Sequence, residues 1–484
     1  MDSNSVEKKM TASVKWSGLA EIVAKLINPV SSMVLARLLT PEAFGVVATV
    51  NIIISFADMF TDAGFQKYIV QHEFDNEKML RNSLNVAFWA NLALSVLLWA
   101  LICVFRNPLA ALVGNPGLGH VLVFASAVLP VTAFSSLQTG YFRRKFNFKV
   151  LFRARLATVA VPLFVTIPLA FVLRTYWALV IGTLTLNLVN ATILTISSDW
   201  KPQMFFSFHI LKEMFSFSMW TLVEQFSIWL TAYIGTFIVG NYLSEYYVGV
   251  YKTAMTTVNN IMSLITSATL PVLFAGLSRL QSDREEFNYT FLRFQKVIAF
   301  FVLPMSVGIF LYRELVTTIL LGNQWKEAIG FVGLWALMSG LTIVFGYYSS
   351  EVYRALGKPK LSVLSQALHL IVLIPVLVIT AEKGFYPLYI ARSLVRVEAI
   401  LVDLVILWVV IGITPWQMIT NIKESVLATV VMSGIALLLQ RFHTGVLWDI
   451  LSIGICATVY FGISCISAQN RAFVKDAVKK LMKR

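Results

Sequence analysis

The chain has 484 residues, 58% of them hydrophobic and only 13% charged, with a mean hydropathy of +0.75. A soluble globular protein carries about 25% charged residues, so this composition excludes a soluble enzyme or binding domain and predicts an all-α, polytopic membrane protein. The net charge of +14 does not indicate a nucleic-acid partner, because the basic residues recur in short loops between apolar runs, where topology control in a membrane requires them.

The N-terminus is polar through Lys15, and Glu21 and Lys25 interrupt the first apolar segment. That makes a poor signal-peptide core, and no cleaved leader is expected. Two apolar runs, 16–38 and 44–65, are each about long enough to cross a bilayer. Only Leu39 to Ala43 separate them, which predicts a tight transmembrane hairpin. On the first run Glu21, Lys25, Asn28 and Ser32 share one helical face; on the second, Asn51, Ser55, Asp58 and Asp62 repeat the spacing. A charge near the bilayer centre costs at least about 2.5 kcal/mol on insertion scales, so such faces turn toward the bundle interior or a wet cavity. The hairpin therefore reads as the wall of a polar passage. Two plainer readings stay open: Glu21 and Lys25 pair along their helix, and Asp62 sits at the headgroups.

Further apolar runs fall at 83–105, 118–138, 151–173, 176–196, 214–240, 246–274, 294–320, 328–353, 361–380, 385–411, 421–440 and 446–467. About fourteen spans result. With both termini in the cytoplasm, the basic clusters Arg143, Arg144, Lys145, Lys149, Arg153 and Arg155, then Arg354, Lys358 and Lys360, then the C-terminal tail, all fall on one side. These clusters read as topology anchors that also contact anionic lipids. Leu39, Thr40, Gly45 and Val46 recur as Leu243, Ser244, Gly249 and Val250, an offset of about 204 residues that suggests an internal repeat. The expected organisation is two six-helix bundles related by a pseudo-two-fold axis, 1–200 and 201–412, followed by two extra helices and a basic tail over 413–484.

The second half repeats the polar logic. Glu224 lies in the 214–240 run, where Glu21 falls on the adjacent Gln225; Lys252 and Asn259 lie in the next, and His369 in the eleventh. In the twelfth, Arg392, Arg396 and Asp403 share a face with Glu398 on its flank. Two arginines one turn apart suit a phosphate or diphosphate, and an internal ion-pair network with Glu398 and Asp403 is the competing reading. Lys25 and Lys252 are further candidates for substrate contact. Glu21, Asp58, Asp62 and Glu224 are candidates for ion coupling, since a desolvated carboxylate titrates nearer neutral pH. His369 reads either as a satisfied core histidine or as a proton relay. Pro29, Pro130, Pro162, Pro168, Pro271, Pro304 and Pro375 mark expected kinks.

Cys103, Cys456 and Cys465 all fall within runs and read as packing residues, with no metal or cofactor expected. No phosphate-binding P-loop, zincin or Gly-x-Ser-x-Gly motif occurs. The turn Gly114-Asn115-Pro116-Gly117-Leu118-Gly119 follows no strand, which argues against a dinucleotide site. With no room for a soluble catalytic domain, movement of a substrate is the economical function, and the protein reads as no enzyme.

The stretch Ala36-Arg37-Leu38-Leu39-Thr40-Pro41-Glu42-Ala43-Phe44-Gly45, with Phe60-Thr61-Asp62-Ala63-Gly64-Phe65 leading to Ile69-Val70-Gln71, resembles the opening signature of the Wzx-type polysaccharide-transporter branch of the multidrug/oligosaccharidyl-lipid/polysaccharide exporter superfamily, nearest its colanic-acid-exporter-like members. Tyr353-Arg354-Ala355-Leu356-Gly357-Lys358 is similar to a second signature of that family. The resemblance implies a flippase for undecaprenyl-diphosphate-linked oligosaccharide repeats in the bacterial inner membrane, feeding exopolysaccharide, capsule or O-antigen assembly by alternating access. Polysaccharide polymerase and co-polymerase proteins would be its partners, and the last two helices would groove the lipid tail. A cation-coupled drug exporter or a lipid II flippase of the same fold is the alternative, and a membrane polymerase or ligase a third.

Overall fold

The structure is a computed structural model that describes residues 23–464 other than 26, 63–64, 359 and 444; within helices the described side chains exclude those of 62, 67, 71, 216–221, 223–224, 268, 271–272 and 275. Glu21 therefore lies outside the described residues, as do the side chains of Asp62 and Glu224. Among the described residues the regular elements are all helical, and ten helices are long and apolar enough to cross a membrane. The remaining expected runs are helical as well. The first is helical over 27–38, two more lie within Phe208–Tyr242 and Glu245–Ser278, and the 385–411 run forms Phe385–Leu394 and Arg396–Ile411, interrupted at Val395. The chain divides into two compact units, Met1–Lys252 and Thr253–Arg484.

In the first unit the expected hairpin turn is shorter than Leu39 to Ala43, because helix Pro41–Asp62 starts at once with proline in its first turn. Proline suits that position, where an N–H has no helical acceptor. The Leu39 N–H closes the preceding helix on the Leu35 carbonyl at 2.9 Å, and the Thr40 carbonyl accepts from Phe44 N–H at 3.5 Å. The echoed motif makes the same turn. There the Leu243 N–H bonds the Val239 carbonyl at 2.8 Å and the Ser244 carbonyl accepts from Val248 N–H at 3.1 Å. The two copies also meet reciprocally. A Cβ on Gly45 would overlap the Glu245 carbonyl, 2.7 Å from its carbon, and one on Gly249 would overlap the Pro41 carbonyl, 2.6 Å from its carbon. Small residues let membrane helices approach this closely. Beside this contact the glycine-rich turn caps the helix ends: Gly114 has φ +85° and abuts the Gly240 carbonyl, while buried Asn115 bridges the Thr49 hydroxyl and Glu245 Oε1, the latter at 3.2 Å.

At the end of helix Gly119–Arg144 a polar staple joins three elements. Lys145 Nζ lies 3.2 Å from Glu77 Oε1 and 3.3 Å from Asp199 Oδ2. Burial alone would raise the Asp199 carboxyl, but the neighbouring Tyr141, its own backbone N–H and Lys145 hold it below its ordinary value. Burial would likewise lower Lys145, and the Tyr141 ring beneath it together with its bonds to Glu77 and Asp199 raise it instead. A depressed carboxylate stabilises the fold above its unfolded pKa and loses that contribution as pH falls through the folded value. Because both partners are more than a third exposed, solvent screening limits the effect. Asp199→Asn is expected to cost less than about 1 kcal/mol near neutral pH, a cost that shrinks as pH falls through the lowered folded value of the carboxyl, checked by thermal melts of purified protein over an acid pH series.

The second unit packs Phe300, Tyr312, Met432 and Tyr460 into a core, with Tyr460 OH donating to the Phe300 carbonyl at 2.7 Å. Cys456 is buried there, its sulfur 3.7 Å from Tyr312 OH, which fits the packing role expected of it. Cys465 lies outside the described residues. The expected proline kinks are uneven. Pro162 opens a π-helical turn, Pro162–Thr166, whereas Pro304 and Pro375 sit within unbroken helices. A second π turn, Ile343–Tyr347, contains no proline; its Gly346 faces the Asp403 carboxylate, where a Cβ would lie 2.9 Å from Oδ2.

Candidate functional site

Among the described residues each unit carries a polar cluster inside its helices. In the first, a cavity of about 200 Å³ is walled by Asn51, Ser55 and Asp58 from helix Pro41–Asp62, Thr132 from Gly119–Arg144, Asn187 from Trp177–Ser197, and Tyr233 from Phe208–Tyr242. The face expected from the spacing of Asn51, Ser55 and Asp58 thus lines a hollow. Asp58 is exposed to it and accepts from Thr132 Oγ1 and Thr61 Oγ1, each at 3.2 Å. The Ser55 hydroxyl donates back to the Asn51 carbonyl at 2.6 Å and accepts from the Trp229 indole at 3.0 Å. Lys252 Nζ stands 5.0 Å from the centre of the Tyr233 ring, within cation–π range, a ring that walls the same cavity as Asp58. Lys25 is half-buried and lines neither this cavity nor the apolar groove beside it.

The cluster of the second unit is built on an indole. Arg392, the last basic residue of Phe385–Leu394, and Arg396, the first residue of the next helix, both stack on Trp335, with Cζ 4.8 and 3.5 Å from its ring centre. Arg392 is only 8% exposed. Arg396 also donates to Ser339 Oγ at 2.7 Å, one turn along the same helix as Trp335, and the Trp335 N–H is anchored on Asn259 Oδ1 at 3.2 Å. A flat guanidinium can stack and hydrogen-bond at once, which an ammonium cannot.

The acids near these arginines have other partners. Glu398 Oε2 is 2.9 Å from His369 Nδ1, and Asp403 Oδ1 accepts from Ser365 Oγ at 2.9 Å and Tyr353 OH at 3.3 Å. His369 therefore has a carboxylate partner, an arrangement that both readings of the sequence allow. Sequence reasoning missed Trp335, Ser339, Thr132, Asn187 and Tyr233. An indole or a hydroxyl in an apolar run is ordinary span content, so hydropathy carries no signal for them; only helix neighbours reveal their role. Chemically, the first cluster offers amide, hydroxyl and carboxylate groups suited to polyhydroxylated matter, with one cation at its edge. The second offers two stacked guanidinium groups suited to a phosphoanion.

Comparison with known proteins places this architecture. A family described as polysaccharide biosynthesis protein matches residues 34–330. The succinoglycan biosynthesis transport protein ExoT of Rhizobium meliloti is 26% identical over 69% of this chain and 67% of its own. The lipopolysaccharide biosynthesis protein WzxC of Escherichia coli is 20% identical over 78% and 77%. Among solved structures, the inward closed lipid II flippase MurJ superposes with a TM-score of 0.77 over 96% of this chain and 100% of that one, at 15% identity. An inward-facing MATE multidrug transporter superposes with a TM-score of 0.62 over 83% and 98%, at 14% identity. The two structural likenesses bear on fold alone.

Proposed function

The chain belongs to the polysaccharide biosynthesis protein family and is a multi-pass membrane transport protein, and from that premise we propose that it flips undecaprenyl-diphosphate-linked oligosaccharide repeats across the bacterial inner membrane. The observation that carries this reading is the pair of guanidinium groups, Arg392 and Arg396, stacked on Trp335 within apolar spans. Charge-assisted bonds from such groups suit the diphosphate that links lipid to sugar. Lys252, and Lys25 on the way in, add positive charge along the route, while Asn51, Asp58, Thr132 and Asn187 offer hydrogen bonds to sugar hydroxyls. Asp58 is the coupling carboxylate, with Glu21, Asp62 and Glu224 in the same role. The rest of the cycle is alternating access between the two leaflets, and the flipped repeats pass to a polymerase and its co-polymerase.

The test is complementation of a bacterial strain lacking its own flippase. Arg392→Ala combined with Arg396→Ala, expressed at normal level, is expected to cut surface polymer by about tenfold or more, as loss of charged hydrogen bonds predicts, with lipid-linked repeats accumulating in the inner leaflet. Full complementation by the double variant would overturn the assignment of these arginines. Normal flipping of repeats in the deletion strain, with altered drug export instead, would favour a multidrug cargo.

A further inference from the structure

Beside the polar cavity of the first unit lies a groove of about 770 Å³ between helices Pro41–Asp62, Glu77–Val104 and Phe208–Tyr242. Its size falls within the roughly 300–1,000 Å³ typical of small-molecule sites. Among the described residues its lining is hydrocarbon, with Ile52, Phe56, Leu98, Leu101 and Phe237 on its walls and the Trp229 indole the one group that carries a polar atom. That atom points the other way: the Trp229 N–H donates to Ser55 Oγ at 3.0 Å, and Ser55 lines the polar cavity. Helix Pro41–Asp62 is therefore a wall with two wetting faces. Asn51, Ser55 and Asp58 face the cavity, and Ile52, Phe56 and Phe60 face the groove. Phe226, Trp229 and Tyr233 stack in series, with centres 6.2 and 5.9 Å apart; Trp229 lines the groove and Tyr233 the cavity, where Lys252 stands over its ring.

We propose that this groove holds the hydrocarbon chain of the cargo while the attached sugars occupy the adjoining polar cavity, with Trp229 standing at the junction. The proposal rests on the flippase reading and adds to it where the lipid part travels, which differs from the expected place on the last two helices. An amphiphile crossing a bilayer must keep its head out of hydrocarbon and its chain out of water. Two compartments of opposite polarity on the two faces of one helix, linked by an amphipathic ring, satisfy both requirements at once. Lipid tails are as apolar as the groove lining, so the groove contributes register rather than affinity. It aligns the chain so that the first sugars reach Asn51 and Asp58.

The test uses the purified full chain in phospholipid nanodiscs with a polyprenyl diphosphate that bears a photoactivatable group in its chain, and adducts are mapped by mass spectrometry. Adducts on Phe56, Leu98 or Leu101 are expected, competed by unlabelled polyprenyl diphosphate and not by phosphatidylglycerol. Leu98→Trp, which fills the groove, is expected to reduce them about tenfold, and Val363→Trp, on an exposed face of helix Lys360–Ala381 away from the groove, to leave them unchanged. Equal, uncompeted labelling by a photoactivatable phosphatidylglycerol would show ordinary bilayer lipid in the groove and overturn the proposal. Competed adducts confined to helices Lys423–Phe442 and Val446–Ser464 would overturn it too, while leaving the flippase reading intact. No competed labelling anywhere, together with normal flipping of repeats in a deletion strain, would overturn both.

Discussion

Gly45→Val is expected to prevent the protein from reaching its folded state in the membrane. The Cβ of any residue here would fall on the Glu245 carbonyl, and the next atom, Gly249 N, is 3.1 Å away. Both obstacles are backbone of a helix N-terminus and cannot rotate aside. Overpacking a well-filled interior costs about 1–3 kcal/mol when side chains can shift and more when backbone must; the upper end applies here. Gly249→Val should behave alike, because the Pro41 carbonyl and Gly45 N meet it in mirrored fashion. Gly434→Val supplies the control, since nothing lies within 4 Å of a Cβ at that helical glycine. The measurement is the amount and thermal midpoint of monodisperse protein extracted from membranes. Should Gly45→Val match Gly434→Val in both, the close contact of the two repeated motifs would be refuted.

Trp335→Ala is expected to abolish transport and to destabilise the second unit by about 3–5 kcal/mol, the usual cost of removing a large buried aromatic side chain. Trp335 is fully buried, and its ring carries Arg392 on one side and Arg396 close by. Each desolvated cation–π contact contributes up to about 2 kcal/mol, so the loss falls on the positions of both guanidinium groups as well as on packing. Trp335→Phe separates the two effects. It keeps a face for stacking and most of the volume, while forfeiting the bond to Asn259, a cost of about 1 kcal/mol. Transport by the Phe variant should survive at reduced rate, with a thermal midpoint between wild type and Ala. If the Ala variant folds normally and transports at the wild-type rate, the indole platform has no role.

Helix existence was legible because a bilayer leaves backbone groups no partner but their own helix, so apolar runs of sufficient length had one outcome. The likeness of the two turns was legible for a related reason: Leu39-Thr40 and Leu243-Ser244 must each stop one helix and start another within two residues, and few residue types do this. The face of Asn51, Ser55 and Asp58 was legible from spacing alone, since helical geometry fixes which side chains align. The interruption at Val395 was not, because neither proline nor glycine marks it.

By itself, then, the amino-acid order determined the class of protein, the hairpin and the polar stripe of Asn51, Ser55 and Asp58, all of which depend on residues near one another along the chain. Tertiary structure decided which neighbours those stripes face. That Arg392 and Arg396 share Trp335, that Glu398 is taken by His369, and that Trp229 divides a wet cavity from a dry groove depend on contacts across more than thirty residues of sequence in most cases, and a helix of given hydropathy can present such residues to several partners before packing selects one.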